Sequence, residues 1–356
     1  MDKTLSLDEG VQAGAQNPGW IHAPGFDLAF LLLPPLAGLA AALLAVQYTG
    51  AQPAVIFAGA YLLGIPHYLA SFAFYCGDDN RAHARQHWPL FYAAPVAICA
   101  GVAAFYALAA AAIVHALLFV WNVYHVASQS SGVLSLYRRL AGGGQGERRL
   151  AHGTILFANA AMAMWAVERF APLRDPLVAL HPLLPQALLA ACLALALGFG
   201  IAYARELRRR RFPLSMPERV SLASAILLFT PYLWISDPDF ATLTMLMGHF
   251  IQYLALVWLL NRRKYGAQVG SRAQRWLARL SGSWTAPAAF IAASGTLFFL
   301  LERGSQALGA YLVFMVAFNS LALVHFYLDG LIWAFRSPYI RRTVGPFLTL
   351  DASRLR

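Results

Sequence analysis

The chain has 356 residues, of which 59% are hydrophobic and only 12% are charged, and its mean hydropathy is +0.56. Because a soluble domain carries about 25% charged residues, this composition excludes an ordinary soluble fold and predicts insertion into a membrane. The formal net charge is +11, but it does not indicate nucleic-acid binding, because the basic residues lie between apolar runs. The three cysteines are widely spaced and form no CxxC pair, which argues against thiolate metal ligation and against a disulfide framework.

The N-terminal segment is polar and lacks the charged start, short apolar core and cleavage site of a secretory signal. Residues 1–27 are therefore predicted to be a polar cytoplasmic segment, with an interfacial stretch at Trp20–Phe26. We expect a single transmembrane domain over residues 28–335 and a basic cytoplasmic tail over residues 336–356.

The apolar runs predict an all-α fold, a polytopic integral membrane helix bundle with about ten transmembrane helices. The runs cover about 28–48, 52–75, 89–111, 113–136, 151–167, 184–204, 219–236, 240–261, 284–301 and 309–335. Pro34-Pro35 should kink the first run or break its first turn. Runs three and four almost touch near Ala112, so they predict either two spans or one stretch with a re-entrant turn. Run five, with 17 residues, is at the lower limit for a span.

The distribution of lysine and arginine predicts the orientation of the chain. When the N-terminus is placed inside, 24 of the 27 basic residues fall in inside segments, and only Arg169, Arg174 and Arg303 fall outside. Positively charged loops stay on the cytoplasmic side, so both termini are predicted to be cytoplasmic. The expected location is a cell inner membrane of the bacterial type.

Four of the even-numbered runs carry a histidine at a similar depth. His67, His125, His249 and His325 should lie within about 5 Å of one level, by the rise of an α-helix. One buried histidine usually packs in the core, but four at one level favour a metal site, because neutral imidazole commonly binds iron, copper and zinc. Nitrogen ligands with one carboxylate suit non-haem iron best, while copper, zinc and haem b remain open.

Asp329 lies one helical turn after His325, so the two side chains share a helix face. Ionisable groups within a membrane helix are costly and predict a functional site. Asp329 has two interpretations: it is a metal ligand, or it orients His325 from behind the ligands, and the second is slightly favoured.

Other polar residues accompany the histidines. Gln129 and Gln252 lie one turn closer to the cytoplasm and are predicted to support the ligands or contact the substrate. Asn122 falls on the same polar stripe as His125 and is assigned a supporting position. Tyr253 and Gln129 are candidates for moving a proton. Aromatic side chains crowd the same level, as in ordinary packing or a channel for a lipophilic substrate.

His83 and His87 form an HxxxH pair in the loop after run two. This pair is similar to the histidine boxes of membrane di-iron desaturases and hydroxylases, which bind metal at the cytoplasmic side. It predicts either a second metal or loop site, or a solvated, mildly basic loop helix beside two aspartates.

The tetrapeptide Gly64-Ile65-Pro66-His67 resembles the Gly-Leu-Pro-His sequence that begins a helix in the Brp/Blh family of bacterial β-carotene cleavage dioxygenases. That resemblance implies a polytopic membrane protein in which histidines from several helices hold iron, and an enzyme that uses oxygen on a lipophilic substrate.

The first functional hypothesis is therefore a membrane metalloenzyme, a non-haem iron oxidoreductase or oxygenase. Its expected partners are a lipophilic small molecule or lipid, the membrane and an electron donor, and no nucleic acid. A b-type haem electron carrier and a proton-coupled transporter that uses buried histidine and aspartate are the alternatives.

Overall fold

A computed structural model describes residues 19–141, 146–209, 213–266 and 270–348, and all regular secondary structure in these residues is helical. The helices, in chain order, are α1 (Pro24–Leu32), α2 (Pro34–Gln47), α3 (Thr49–Cys76), α4 (Asp78–Gln86), α5 (Pro89–Ala107), α6 (Ala111–Leu140), α7 (Gly146–Arg169), α8 (Ala171–Leu180), α9 (Leu184–Arg208), α10 (Met216–Leu227), α11 (Pro231–Trp234), α12 (Pro238–Tyr265), α13 (Arg272–Gly282), α14 (Thr285–Ala307), α15 (Tyr311–Ile332), α16 (Pro338–Thr343) and α17 (Gly345–Leu348). The predicted all-α class is confirmed for this part of the chain.

Eight of these helices are long and apolar enough to cross a membrane: α3, α5, α6, α7, α9, α12, α14 and α15. The pair α1 and α2 raises the number to 9 if it forms one span, and the two helices are bent by 44°. The bend falls at Leu33, directly before Pro34, because proline lacks the N–H that would continue the helix. The predicted break in run one is confirmed.

Run seven differs from the prediction of a continuous span. The chain forms the 12-residue helix α10, a turn, and the four-residue helix α11, which begins at Pro231. Neither piece is long enough to cross a membrane alone. The number of about ten spans and the cytoplasmic placement of both termini therefore stay predictions.

Runs three and four are two separate helices, α5 and α6. They are joined by residues 108–110, where Ala109 has a φ of 55°. The left-handed conformation at Ala109 reverses the chain within three residues, which explains why the sequence shows almost no polar loop between the two runs.

Helix α12 lies at the centre of the bundle. Within its most apolar stretch 67% of the residues are buried, compared with 6% for the peripheral helix α9. Two glycines let α2 approach α12 closely. A side chain at Gly38 would collide with the carbonyl oxygen of Thr244, and one at Gly248 would meet the backbone of Pro34 and Pro35. This contact fixes the position of the residue that follows Gly248, which is His249.

The two ends of the described chain are fastened to α12 by Arg263, whose guanidinium donates to the carbonyl oxygens of Ile21, at 2.8 Å, and Phe347, at 3.0 Å. Residues 1–18 and 349–356, which belong to the predicted cytoplasmic segments, lie outside the described residues. Residues 20–26 contain the buried Ile21 and the first turn of α1, so this part of the predicted polar segment belongs to the packed fold.

Candidate metal centre

The four histidines predicted to share one level come together in the middle of the bundle. They project from α3, α6, α12 and α15, and each ring has two of the others as neighbours, in the cyclic order His67, His249, His125, His325. The ring centroids of successive members are 4.8, 5.6, 5.1 and 4.3 Å apart. The exposed fraction of these residues is at most 5%. Four helices therefore enclose a single cluster of imidazoles.

The cluster leaves many polar atoms without partners. Among the described residues, both ring nitrogens of His67 and the Nε2 atoms of His125, His249 and His325 are buried and have no hydrogen-bond partner. A buried polar group without a partner is costly, and five such atoms in one cluster are too many for ordinary packing. A bound metal ion would satisfy one nitrogen of each ring that it contacts, so the residues present fit a metal site.

The ligand geometry agrees with this conclusion. One potential ligand atom from each of His67, His125 and His249 lies within 4.8 Å of the others, and His125, His325 and Asp329 form a second such group. Metal–nitrogen bonds of about 2.1 Å in a tetrahedral arrangement place neighbouring ring centres about 5 Å apart, close to the observed spacing. The two groups share His125, so they adjoin each other, but no group of close ligand atoms among the described residues contains all four imidazoles.

Asp329 is held by three hydrogen-bond donors. Its Oδ1 atom accepts from Ser71 Oγ at 2.7 Å and from the Tyr253 hydroxyl at 2.8 Å, and its Oδ2 atom accepts from Gln129 Nε2. Oδ2 also lies 3.9 Å from His125 Nε2 and 3.7 Å from His325 Nε2. Oδ2 thus faces the nitrogens that would hold a metal, as a ligand would, whereas Oδ1 reaches His325 Nδ1 through Ser71, as an orienting residue would. Both interpretations of Asp329 therefore stay predictions.

Ser71 is a member of this network that was not named from the sequence. Its Oγ lies 2.7 Å from His325 Nδ1. Since the serine donates its proton to Asp329, its oxygen is left to accept from the imidazole, so His325 carries its proton on Nδ1 and presents the Nε2 lone pair. The sequence does contain an indication of this role, because Ser71 follows His67 by four residues, the same spacing by which Asp329 follows His325.

The other predicted residues are placed as follows. Tyr253 packs its ring 4.4 Å from that of His67, and its hydroxyl reaches Asp329, so it contacts both parts of the cluster. Asn122 is buried on α6, and neither of its amide atoms has a hydrogen-bond partner among the described residues. Gln252 donates its amide to the carbonyl of Leu31, at 2.8 Å, and to Ser224, rather than to any histidine, although it borders the same cavity.

His83 and His87 lie at the other predicted site, in and after the short helix α4, with ring centroids 4.2 Å apart. The His83 ring stacks on Tyr339 at 3.7 Å, and His87 Nδ1 contacts the carbonyl of His83. Burial, followed by the neighbouring His87, lowers the pKa of His83 from its ordinary value. Within the described chain, these histidines belong to no group of three close ligands, so the structure gives this pair no third ligand.

A cavity of about 490 Å³ adjoins the cluster. His125, His249, Tyr253 and Asp329 form part of its wall, and aromatic and aliphatic side chains form most of the remainder. Along α6 the lining residues extend from Trp121 to Leu136, which corresponds to about 22 Å of helix. The histidine and aspartate cluster therefore faces an apolar space large enough for a lipophilic molecule.

Comparison of the chain with protein-family models, with curated proteins and with solved structures finds no match. The fold and the site define the class of protein on their own: a helical protein whose described residues form eight or nine helices able to span a membrane. In its interior lies a histidine and aspartate cluster that could hold a metal ion.

Proposed function

We propose that the protein is a membrane-embedded, metal-dependent oxidoreductase, a non-haem iron oxygenase that acts on a lipophilic substrate. The observation that carries the proposal is the ring of four buried imidazoles with unpartnered nitrogens beside an apolar cavity. Imidazole ligands with a nearby carboxylate and no thiolate suit iron better than the softer metals. The resemblance of Gly64–His67 to the carotenoid cleavage enzymes points in the same direction.

In this proposal His67, His125, His249 and His325 hold the ion, and Asp329 sets the orientation and basicity of His125 and His325. Bound iron would supply oxygen activation at the inner end of the cavity. The protein contributes the dry, shaped space around it. The aromatic wall excludes water and holds an apolar substrate against the open side of the cluster.

Tyr253 is the proposed proton donor. Its hydroxyl donates to Asp329 Oδ1 and lies 2.8 Å from Ser71 Oγ, and its ring contacts His67, so it lies beside the cluster and can regain a lost proton through the network. Gln129 has no proton to exchange, and its proposed task is to hold Asp329 Oδ2 in place.

The alternatives are less favoured by the geometry. A bis-histidine haem needs two opposed rings with a porphyrin plane between them, whereas here each of the four rings touches two others. A proton-coupled transporter would use the same buried groups without any metal. An optical spectrum with a haem Soret band would identify the first alternative, and transport by metal-free protein in proteoliposomes would identify the second.

Metal analysis of protein purified in mild detergent tests the proposal directly. We expect about one iron per chain and its loss in His249→Ala. His115→Ala is the matched control, because His115 is an exposed histidine on α6 that bonds Tyr106, away from the cluster. Metal far below one ion per chain, or equal content in both variants, would contradict the proposal. Oxygen uptake with and without an added electron donor then separates a monooxygenase from a dioxygenase.

A further inference from the structure

The cavity beside the histidines has two ends of different chemistry. One end is formed by the metal-binding groups, and the other includes Arg148, in the first turn of α7, and Arg336, just after α15. Both arginines are exposed, and neither has a hydrogen bond or ion pair within the described part of the chain. Two guanidinium groups from separate helices are therefore available at the same end of one apolar chamber.

These arginines differ from the others at the arginine-rich end of the bundle. Arg138 is paired with Glu147, and Arg263 is engaged with backbone carbonyls. Arg149 and Arg341 are exposed as well, but they do not border the cavity. Arg148 and Arg336 thus differ from Arg138 and Arg263 in having no partner among the described residues, and from Arg149 and Arg341 in bordering the cavity.

The wall between the two ends suits a hydrocarbon chain. It is formed by residues such as Val133, Leu136, Leu331 and Phe335. Tyr124, which lines the cavity beside His125, is 53% exposed and lies in the middle of a membrane-length helix. The cavity therefore borders the lipid as well as the arginine-rich end, which allows an amphiphile to enter sideways from the bilayer.

From these observations we propose that the substrate is an amphiphile with an anionic head group, a carboxylate or a phosphate, bound by Arg148 and Arg336, with its apolar chain extending to the metal cluster. This inference rests on the proposed function for the reaction, but the binding site does not depend on it. Guanidinium groups bind both kinds of head group through paired N–H donors. The distance between the arginines and the cluster would then select which carbon of the chain meets the metal.

Photocrosslinking tests this proposal without relying on activity. Purified protein in non-ionic detergent is incubated with a long-chain fatty acid that carries a mid-chain diazirine, or with the corresponding fatty alcohol, and labelled peptides are identified by mass spectrometry. We expect label on the cavity-facing residues of α6, and at least tenfold weaker labelling by the alcohol. Competition by unlabelled fatty acid and by phosphatidic acid shows which anionic head group is preferred, and inorganic phosphate should not compete.

The double variant Arg148→Gln with Arg336→Gln should lower labelling by the acid about tenfold or more, since each lost charge-assisted contact weakens binding. It should leave labelling by the alcohol unchanged. The control is Arg149→Gln with Arg341→Gln, which removes the same charge from the same end and should change labelling less than twofold. Equal labelling by acid and alcohol, equal effects of the two double variants, or label outside the cavity would overturn the proposal. Metal content, measured in parallel, reports separately on the proposed function.

Discussion

At the scale of single residues, the organisation of the cluster depends on Ser71. One hydroxyl on α3 joins three groups from two other helices: the imidazole of His325 and the carboxylate of Asp329 on α15, and the hydroxyl of Tyr253 on α12. The serine therefore transmits the negative charge of Asp329 to His325 and fixes which nitrogen of that ring faces the cluster.

Replacement of Ser71 by alanine should weaken metal binding about 10- to 100-fold, the usual effect of removing a group that orients a ligand. The measurement is metal retention during titration with a chelator. Ser135→Ala is the control, because Ser135 bonds only the Ser131 carbonyl of its own helix. Unchanged chelator resistance in Ser71→Ala would show that the serine does not orient the ligand.

Replacement of Tyr253 by phenylalanine should leave the metal bound, because Asp329 keeps two other donors, but should destabilise the protein by about 1 kcal/mol for the lost hydrogen bond. It should also reduce turnover more than substrate binding if the hydroxyl moves a proton. Tyr68→Phe is the control, since Tyr68 is a buried tyrosine that packs 5.2 Å from His325 without a hydroxyl contact to Asp329. Equal kinetics in the two variants would exclude Tyr253 as the proton donor.

At the scale of the helices, the cluster is positioned by backbone contact as much as by side chains. Helix α12 can present His249 only because Gly38 and Gly248 let α2 lie against it. Small residues allow this close packing of helices in a membrane, where the hydrophobic effect does not press helices together.

Replacement of Gly38 by valine should push α2 away from Thr244, at a cost of about 1–3 kcal/mol for overpacking, and should lower both the melting temperature and the metal content. Gly101→Val is the control, because a side chain at Gly101, on α5, would meet no atom within 4 Å. If Gly38→Val kept its metal and its melting temperature, the close contact would not position the site.

The histidine cluster could be predicted from the sequence because the helical rise is fixed. Counting residues from the charged ends gave the depth of His67, His125, His249 and His325. The contacts around the cluster could not be predicted in the same way. A serine in an apolar helix can bond its own backbone, as Ser131 does with Ala127, so spacing alone did not distinguish Ser71. Gln252 likewise has a favourable spacing but bonds to a different helix.

At the scale of the whole molecule, the asymmetry of charge orients the bundle. The short helices α4, α13 and α16 carry seven arginines, and the cavity borders Arg148 and Arg336 at the arginine-rich end. Positive charge at one end predicts that this end faces the cytoplasm.

The orientation can be measured with single cysteines in a variant that lacks Cys76, Cys99 and Cys192. A membrane-impermeant maleimide added to intact spheroplasts should label a cysteine at position 303, in Arg303→Cys, and should not label Arg85→Cys. Inverted vesicles should give the opposite pattern. Labelling of both positions from one side would contradict the predicted orientation and the number of spans between them.

The contrast between the enclosed helix α12 and the exposed, apolar helix α9 has an evolutionary consequence. Any apolar side chain is compatible with lipid acyl chains. Selection on an exposed helix such as α9 should therefore preserve its hydrophobicity but not the identity of its residues. The residues of α12 should be far less variable, because buried contacts with neighbouring helices, the close approach at Gly248 and the position of His249 limit which side chains fit. Distant descendants of the same ancestor should therefore agree in a few short stretches of the interior and hardly anywhere else.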